Sequence, residues 1–175
     1  SDPESPHRFG IEANVSEAGN LLGLLYRNKD QSKRPFRFLG APYAQFIKGT
    51  LELRYNYRFG PRAQIATRLF GGAVYSYGNA DVAPYTEQFY AGGANSIRGF
   101  NVRSIGPGSY RPRENDQYAL LDRTGDLRFE ANVEYRHKIM GGLELATFVD
   151  AGNIWLLRPD THRPGGAFSV KDLSK

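Results

Sequence analysis

An all-β fold, an antiparallel meander forming part of a transmembrane β-barrel, is predicted by three features of this sequence. Apolar residues recur at every second position, tight and long connections alternate along the chain, and no apolar run reaches the roughly 18–20 residues of a membrane-spanning helix. The composition is compatible with that class. The 175 residues include 20 Gly, 11 Tyr and 11 Phe, and 40% are hydrophobic. The mean hydropathy is only −0.53, as expected where only alternate strand residues face lipid.

The clearest strand is "GTLELRYNYRF" from Gly49 to Phe59. It sets Leu51, Leu53, Tyr55, Tyr57 and Phe59 against Glu52, Arg54, Asn56 and Arg58. "LRFEANVEYRHK" from Leu127 to Lys138 repeats the division, with Leu127, Phe129, Ala131, Val133 and Tyr135 opposite Arg128, Glu130, Asn132, Glu134 and Arg136. "AQIATRLFGGAVYSYG" (Ala63–Gly78) alternates more weakly, and its Gly71 and Gly72 suggest a bend or a close backbone approach. "LELATFVDAGNIWLL" (Leu143–Leu157) places Glu144 and Asp150 on one face, and "RFGIEANV" (Arg8–Val15) is the least distinct strand. About five strands and no convincing amphipathic helix are expected.

"GPR" (Gly60–Arg62) and "IMGG" (Ile139–Gly142) read as tight turns, whereas 16–42 and 79–126 are long connections. In a meander this order gathers the tight turns at one end of the sheet and the long loops at the other, the asymmetry of outer-membrane barrels. Tyr57, Tyr75, Tyr77, Tyr135 and Trp155 stand near strand ends, where an interfacial aromatic belt would use them. A soluble antiparallel sheet with one wet face accounts for the alternation of any single strand equally well.

The connection 79–126 is about 48 residues long, far beyond the roughly 12–15 at which a loop is usually functional or disordered. Phe89, Tyr90, Ile97, Phe100, Val102, Ile105 and Tyr110 give it enough apolar surface to pack. Its stretch "GGANSIRGF" lacks the lysine and hydroxyl of a phosphate-binding loop. A loop folded back on the sheet would leave Arg98 in need of an acceptor. Net charge is +5 with acids and bases interleaved, so no nucleic-acid footprint is seen. Without cysteine there is no disulfide framework, thiolate metal site or cysteine nucleophile. His7, His137 and His162 are widely separated and form no hydrolase motif. Glu130, Glu134 and Asp150 could act as an acid–base pair in a cleft, but salt bridges to nearby arginines are the simpler reading. The first ten residues show no charged stretch followed by an apolar one, so no signal peptide is expected there.

"FYAGGANSIRGF" resembles the signature of the sixth extracellular loop in the BamA/TamA superfamily of outer-membrane barrels, with Gly92 and Gly93 followed by Ile97, Arg98, Gly99 and Phe100. "FVDAGNIW" is similar to that superfamily's later strand motif, carried here by Phe148, Asp150 and Gly152, and "LRFEANVEYR" to the strand between them. The resemblance runs from about Gly49 to Leu157. "NLLGLLYR" and "APYAQFIKGTLELRYNYR" look most like the TamA-like branch, including TamL-type lipoproteins.

The resemblance implies that Arg98 reaches into the barrel lumen and pairs with Asp150, with Glu130 and Glu134 in the same acidic cluster. An ordinary carboxylate paired with Arg128 or Arg136 is the alternative for Asp150. It implies a sixteen-stranded barrel preceded by periplasmic POTRA domains. Residues 1–175 would then be about five strands of the half nearest the C-terminus, without the POTRA domains or final strands, and with 79–126 as a long inward-folded loop. The implied function is assembly or translocation of β-barrel or autotransporter-like substrates at the bacterial outer membrane, without an enzymatic step, cofactor or metal. The implied partners are the lipid bilayer, unfolded outer-membrane proteins and a periplasm-spanning protein, and no nucleic acid. A two-partner secretion transporter, a passive pore or receptor barrel, and more remotely a soluble β-sheet enzyme are the alternatives.

Overall fold

The computed structural model describes residues 5–30, 32, 34–112 and 123–169. Five strands, β1 (His7–Ala18), β4 (Gln45–Arg58), β5 (Ala63–Tyr77), β6 (Leu127–Met140) and β7 (Leu143–Trp155), form one antiparallel sheet in the order β1-β4-β5-β6-β7. Between β1 and β4 lie a six-residue helix, α1 (Asn20–Leu25), and a two-residue hairpin, β2 (Arg37–Phe38) with β3 (Ala41–Pro42). The long connection 16–42 thus holds a short helix that the periodicity did not reveal. Six residues are too few to display a 3.6-residue stripe. β1 and β4 also extend beyond Arg8–Val15 and Gly49–Phe59, because Ser16, Glu17 and Ala18 pair with Lys48, Ile47 and Phe46.

The register decides which side chains share a face. His7 pairs with Tyr57, Gln45 with Tyr77, Ala63 with His137 and Leu127 with Trp155. Each pair joins two odd-numbered residues. Odd residues of all five strands therefore lie on one face and even residues on the other, up to a bulge between Lys138 and Met140. Phe9, Ile11, Val15, Leu51, Leu53, Leu69, Phe129, Val133 and Val149 make the odd face apolar, and all are exposed. The even face carries Glu52, Arg54, Arg68, Arg128, Glu130, Asn132, Glu134 and Asp150.

The even face is charged only over part of its length. Phe46, Val74 and Ile154, near the long-connection end, are buried against Ala83, Phe89, Ala91 and Ile97 of the loop, with Phe70 packed alongside. This is why alternation in β5 is weak. Its even positions change from Arg68 to Phe70, Gly72 and Val74 where the loop lands. Pairing runs through the glycine pair on both sides without a register shift. Gly72 meets the loop instead, for a Cβ there would lie 2.7 Å from Cζ of Phe89. Trp155, expected in an interfacial belt, is covered by Phe168 in an edge-on contact at 5.6 Å between ring centres. Tyr75 and Tyr135 remain exposed on the odd face.

The strands span 12 to 15 residues, more than the roughly 9–11 that a tilted strand needs to cross a bilayer. With the odd face toward lipid, Val149→Arg at mid-strand should destabilise the full-length protein by about 2–4 kcal/mol, measured by urea titration in lipid vesicles. A near-neutral effect would mean that the odd face meets water.

Candidate functional site

The long loop forms its own scaffold before it reaches the sheet. Phe89 and Gly125 exchange backbone hydrogen bonds of 2.9 and 2.8 Å, and the Val74 amide donates to the Asp126 carbonyl at 2.8 Å, continuing the β5–β6 ladder into the loop. Residues 93–100 close into a lobe in which the Gly93 amide donates to the Phe100 carbonyl at 2.9 Å and the Ser96 amide to the Gly93 carbonyl at 3.0 Å. Gly92 makes this turn possible. Its φ is +104°, and a Cβ would stand 2.2 Å from the Asn101 carbonyl oxygen. Gly93 and Gly99 also have positive φ, Ile97 is buried in the core cluster, and Phe100 points outward and is exposed. Residues 113–122 of the loop lie outside the described residues.

Arg98 stands at the tip of the lobe and bridges β6 and β7. Its Nε donates to Asp150 Oδ2 at 2.8 Å and its Nη2 to Asp150 Oδ1 at 2.8 Å, a bidentate pair, while its backbone amide donates to Oδ2 at 2.9 Å. Nη1 reaches Glu134 Oε2 on the neighbouring strand. The guanidinium also lies 3.8 Å from the ring centre of Phe148, a cation–π contact. The Asp150 side chain is 2% exposed and that of Arg98 25%. Three positions of "FVDAG" thus act together: Phe148 stacks on the cation, Asp150 binds it, and Gly152 leaves room for Glu130, whose Cγ would be 2.9 Å from a Cβ at 152.

Glu130 is fully buried and forms a second centre. Arg128 donates to both of its oxygens at 2.9 Å, Arg68 Nη1 donates to Oε2 at 3.2 Å, and the Ser96 hydroxyl donates to Oε1. Ser96 accepts in turn from the Gly92 amide at 3.0 Å, and its carbonyl accepts from Asn132 Nδ2 at 2.8 Å. Arg68 extends the network to Glu52 at 2.9 Å. Arg136 serves Glu134, and Arg128 serves Glu130, so neither strand arginine contacts Asp150.

The structure thus gathers Gly92, Ile97, Arg98, Glu130, Glu134, Phe148, Asp150 and Gly152 into one assembly and leaves Phe100 outside it. Sequence reasoning missed Ser96, Arg68, Asn132 and Glu52. Even parity marked the three strand residues as members of the polar face. Nothing local marked Ser96, whose contact depends on the lobe. Among the described residues no group of three or more His, Cys, Asp or Glu could hold a metal ion. The carboxylates here are acceptors for guanidinium and hydroxyl donors, an arrangement that fixes a loop to a wall.

A family model described as the Omp85 superfamily domain matches residues 38–170, a stretch that contains the whole Arg98 network. The chain belongs to the Omp85 superfamily. It is 38% identical over 150 residues to the outer membrane protein assembly factor BamA of Nitratidesulfovibrio vulgaris, covering 83% of this chain and 17% of that protein. It is 29% identical over 106 residues to BamA of Neisseria meningitidis, covering 55% of this chain and 13% of that protein. Over 64 residues it is 38% identical to a sorting and assembly machinery component 50 homolog of Mus musculus, covering 37% of this chain and 13% of that protein. The chain spans under a fifth of the length of these relatives. Within it, the Omp85 domain takes in β4 to β7 and the loop, while β1 and α1 precede the matched stretch.

Removing Arg98 would leave Asp150 without its guanidinium partner. Arg98→Ala should cost about 3–5 kcal/mol locally and expose the loop of the intact protein to protease. Arg98→Lys, which keeps charge but loses the bidentate fork, should give an intermediate digestion rate. Equal protection in all three proteins would dismiss the tie between loop and wall.

Proposed function

We propose that this chain is the part of an outer-membrane assembly factor in which the barrel wall is braced from inside by its long loop. Such a factor resides in the bacterial outer membrane and helps unfolded β-barrel proteins insert there. The observation that carries the reading is the bridge from Arg98 to Asp150 and Glu134 on two adjacent strands, inside the stretch matched by the Omp85 domain. A loop tied to neighbouring strands stiffens that part of the wall while another part moves. Substrate strands can then be received at an opened edge through backbone hydrogen bonds, by β-augmentation. No covalent step is required.

The named relatives that cover most of this chain are assembly factors, which supports insertion rather than export as the role. A place on the TamA/TamL-like translocation branch is supported only by "NLLGLLYR" and "APYAQFIKGTLELRYNYR". A periplasm-spanning partner belongs to that finer reading. Two-partner secretion is a third branch with the same loop and strand motifs.

Depletion of the full-length protein in its native cell, with rescue by wild type or Arg98→Ala, separates these readings. Assembly predicts a several-fold fall in folded outer-membrane β-barrels on depletion, with partial rescue by Arg98→Ala. Loss of one secreted substrate at normal barrel levels would indicate the translocation or secretion branch. Normal barrel levels with reduced small-solute entry would indicate a passive pore and overturn the proposal.

A further inference from the structure

We propose that the short-turn rim of the sheet is a docking site for an acidic polypeptide segment. The rim holds a recess of about 310 Å³ at the turn end of the even face, bordered by Arg58, Arg62, Arg136, Lys138, Gln64 and Glu144. Four cations surround one carboxylate. Arg136 is engaged by Glu134, but among the described residues Arg58, Arg62 and Lys138 make no ion pair. All four cations are exposed. The contrast with the middle of the same face is plain, for there Glu52, Glu130, Glu134 and Asp150 each have a guanidinium partner.

The fold presents these charges as a set. Arg58 pairs in register with Gln64, and Gln64 with Arg136. The Lys138 amide donates to the Arg62 carbonyl at 2.8 Å, which ties the turn after β4 to the end of β6. Adjacent strands stand about 4.8 Å apart, and same-side residues of an extended chain about 7 Å apart. A segment with Asp or Glu at alternate positions can therefore meet two or three of these cations at once. Several shared contacts matter, because a single exposed pair contributes little.

Parity selects protein over lipid as the source of the negative charge. Arg58, Arg136 and Lys138 are even-numbered and lie on the face opposite Leu53, Leu69 and Val133. Headgroups of lipids that cover the apolar face lie across the sheet from these side chains, whereas a polypeptide entering at the turn end meets them directly. This inference requires only that the odd face meets lipid, so it holds for a pore or a secretion barrel as well as for an assembly factor.

The test uses the full-length protein in neutral detergent and a fluorescent peptide of roughly ten residues with alternating Glu and Ser, about 33 Å when extended. Fluorescence anisotropy should show saturable binding that weakens as salt rises, because screening shortens the reach of exposed charges. Arg62→Glu combined with Lys138→Glu should weaken binding about tenfold or more. The neutral pair Arg62→Gln with Lys138→Gln should give a smaller loss, and Arg37→Glu at the other end of the sheet none. Unchanged migration on cold gels would show that the variants keep their barrel. Equal affinity in wild type and the double charge reversal, or an equal loss in Arg37→Glu, would overturn the proposal. So would capture of short-chain phosphatidylglycerol, and not the peptide, through Arg62 and Lys138.

Discussion

A carboxylate placed inside a wall of strands is unfavourable unless donors come with it, and the even face of this sheet is organised by that constraint. Glu130 is sealed from solvent and Asp150 almost so. The strands alone answer only part of the need. Arg68 and Arg128 approach Glu130 from its own sheet, but Asp150 takes its guanidinium and an amide from the loop, and Glu130 takes its hydroxyl from the loop. The lobe around Arg98 and the charge pattern of β6 and β7 are therefore one structure.

The same face changes character along its length, and the change locates the loop. Toward the long connections Phe46, Val74 and Ile154 provide an apolar seat, on which Phe89 and Ile97 rest. Toward the middle, the seat gives way to carboxylates that receive Arg98 and Ser96. Apolar burial holds the body of the loop without directional preference. The bidentate pair with Asp150 then fixes where its tip lies. At the turn end the face bears cations with little internal compensation.

Much of this was legible in the sequence because strand periodicity is a two-state code. Once Leu51 and Leu53 are assigned to one face, Glu52 and Arg54 go to the other, and the shared parity of Leu127 through Tyr135 follows. The code is silent where both faces meet something apolar. In β5, Phe70 and Val74 are loop contacts on the charged face, and the pattern there blurs for a physical reason. It is also silent on residues whose partners are chosen by a turn. The role of Ser96 depends on Gly92 adopting a conformation unfavourable to other residues, and α1 is too short for helical periodicity. The links among Arg98, Glu134 and Asp150 span 36 and 52 residues. Their juxtaposition was suggested by family resemblance, since no local rule reaches so far.

Gly152 sits opposite Glu130 in the β6–β7 ladder. A slide of β7 by two residues keeps every side chain on its proper face, so alternation alone does not forbid it. That slide would bring Asp150 or Ile154 against Glu130, setting a second carboxylate or a bulky hydrocarbon where hydrogen now stands. The empty position acts as a keyway. It admits one alignment of the two strands, and with that alignment it sets the height at which Asp150 meets the loop.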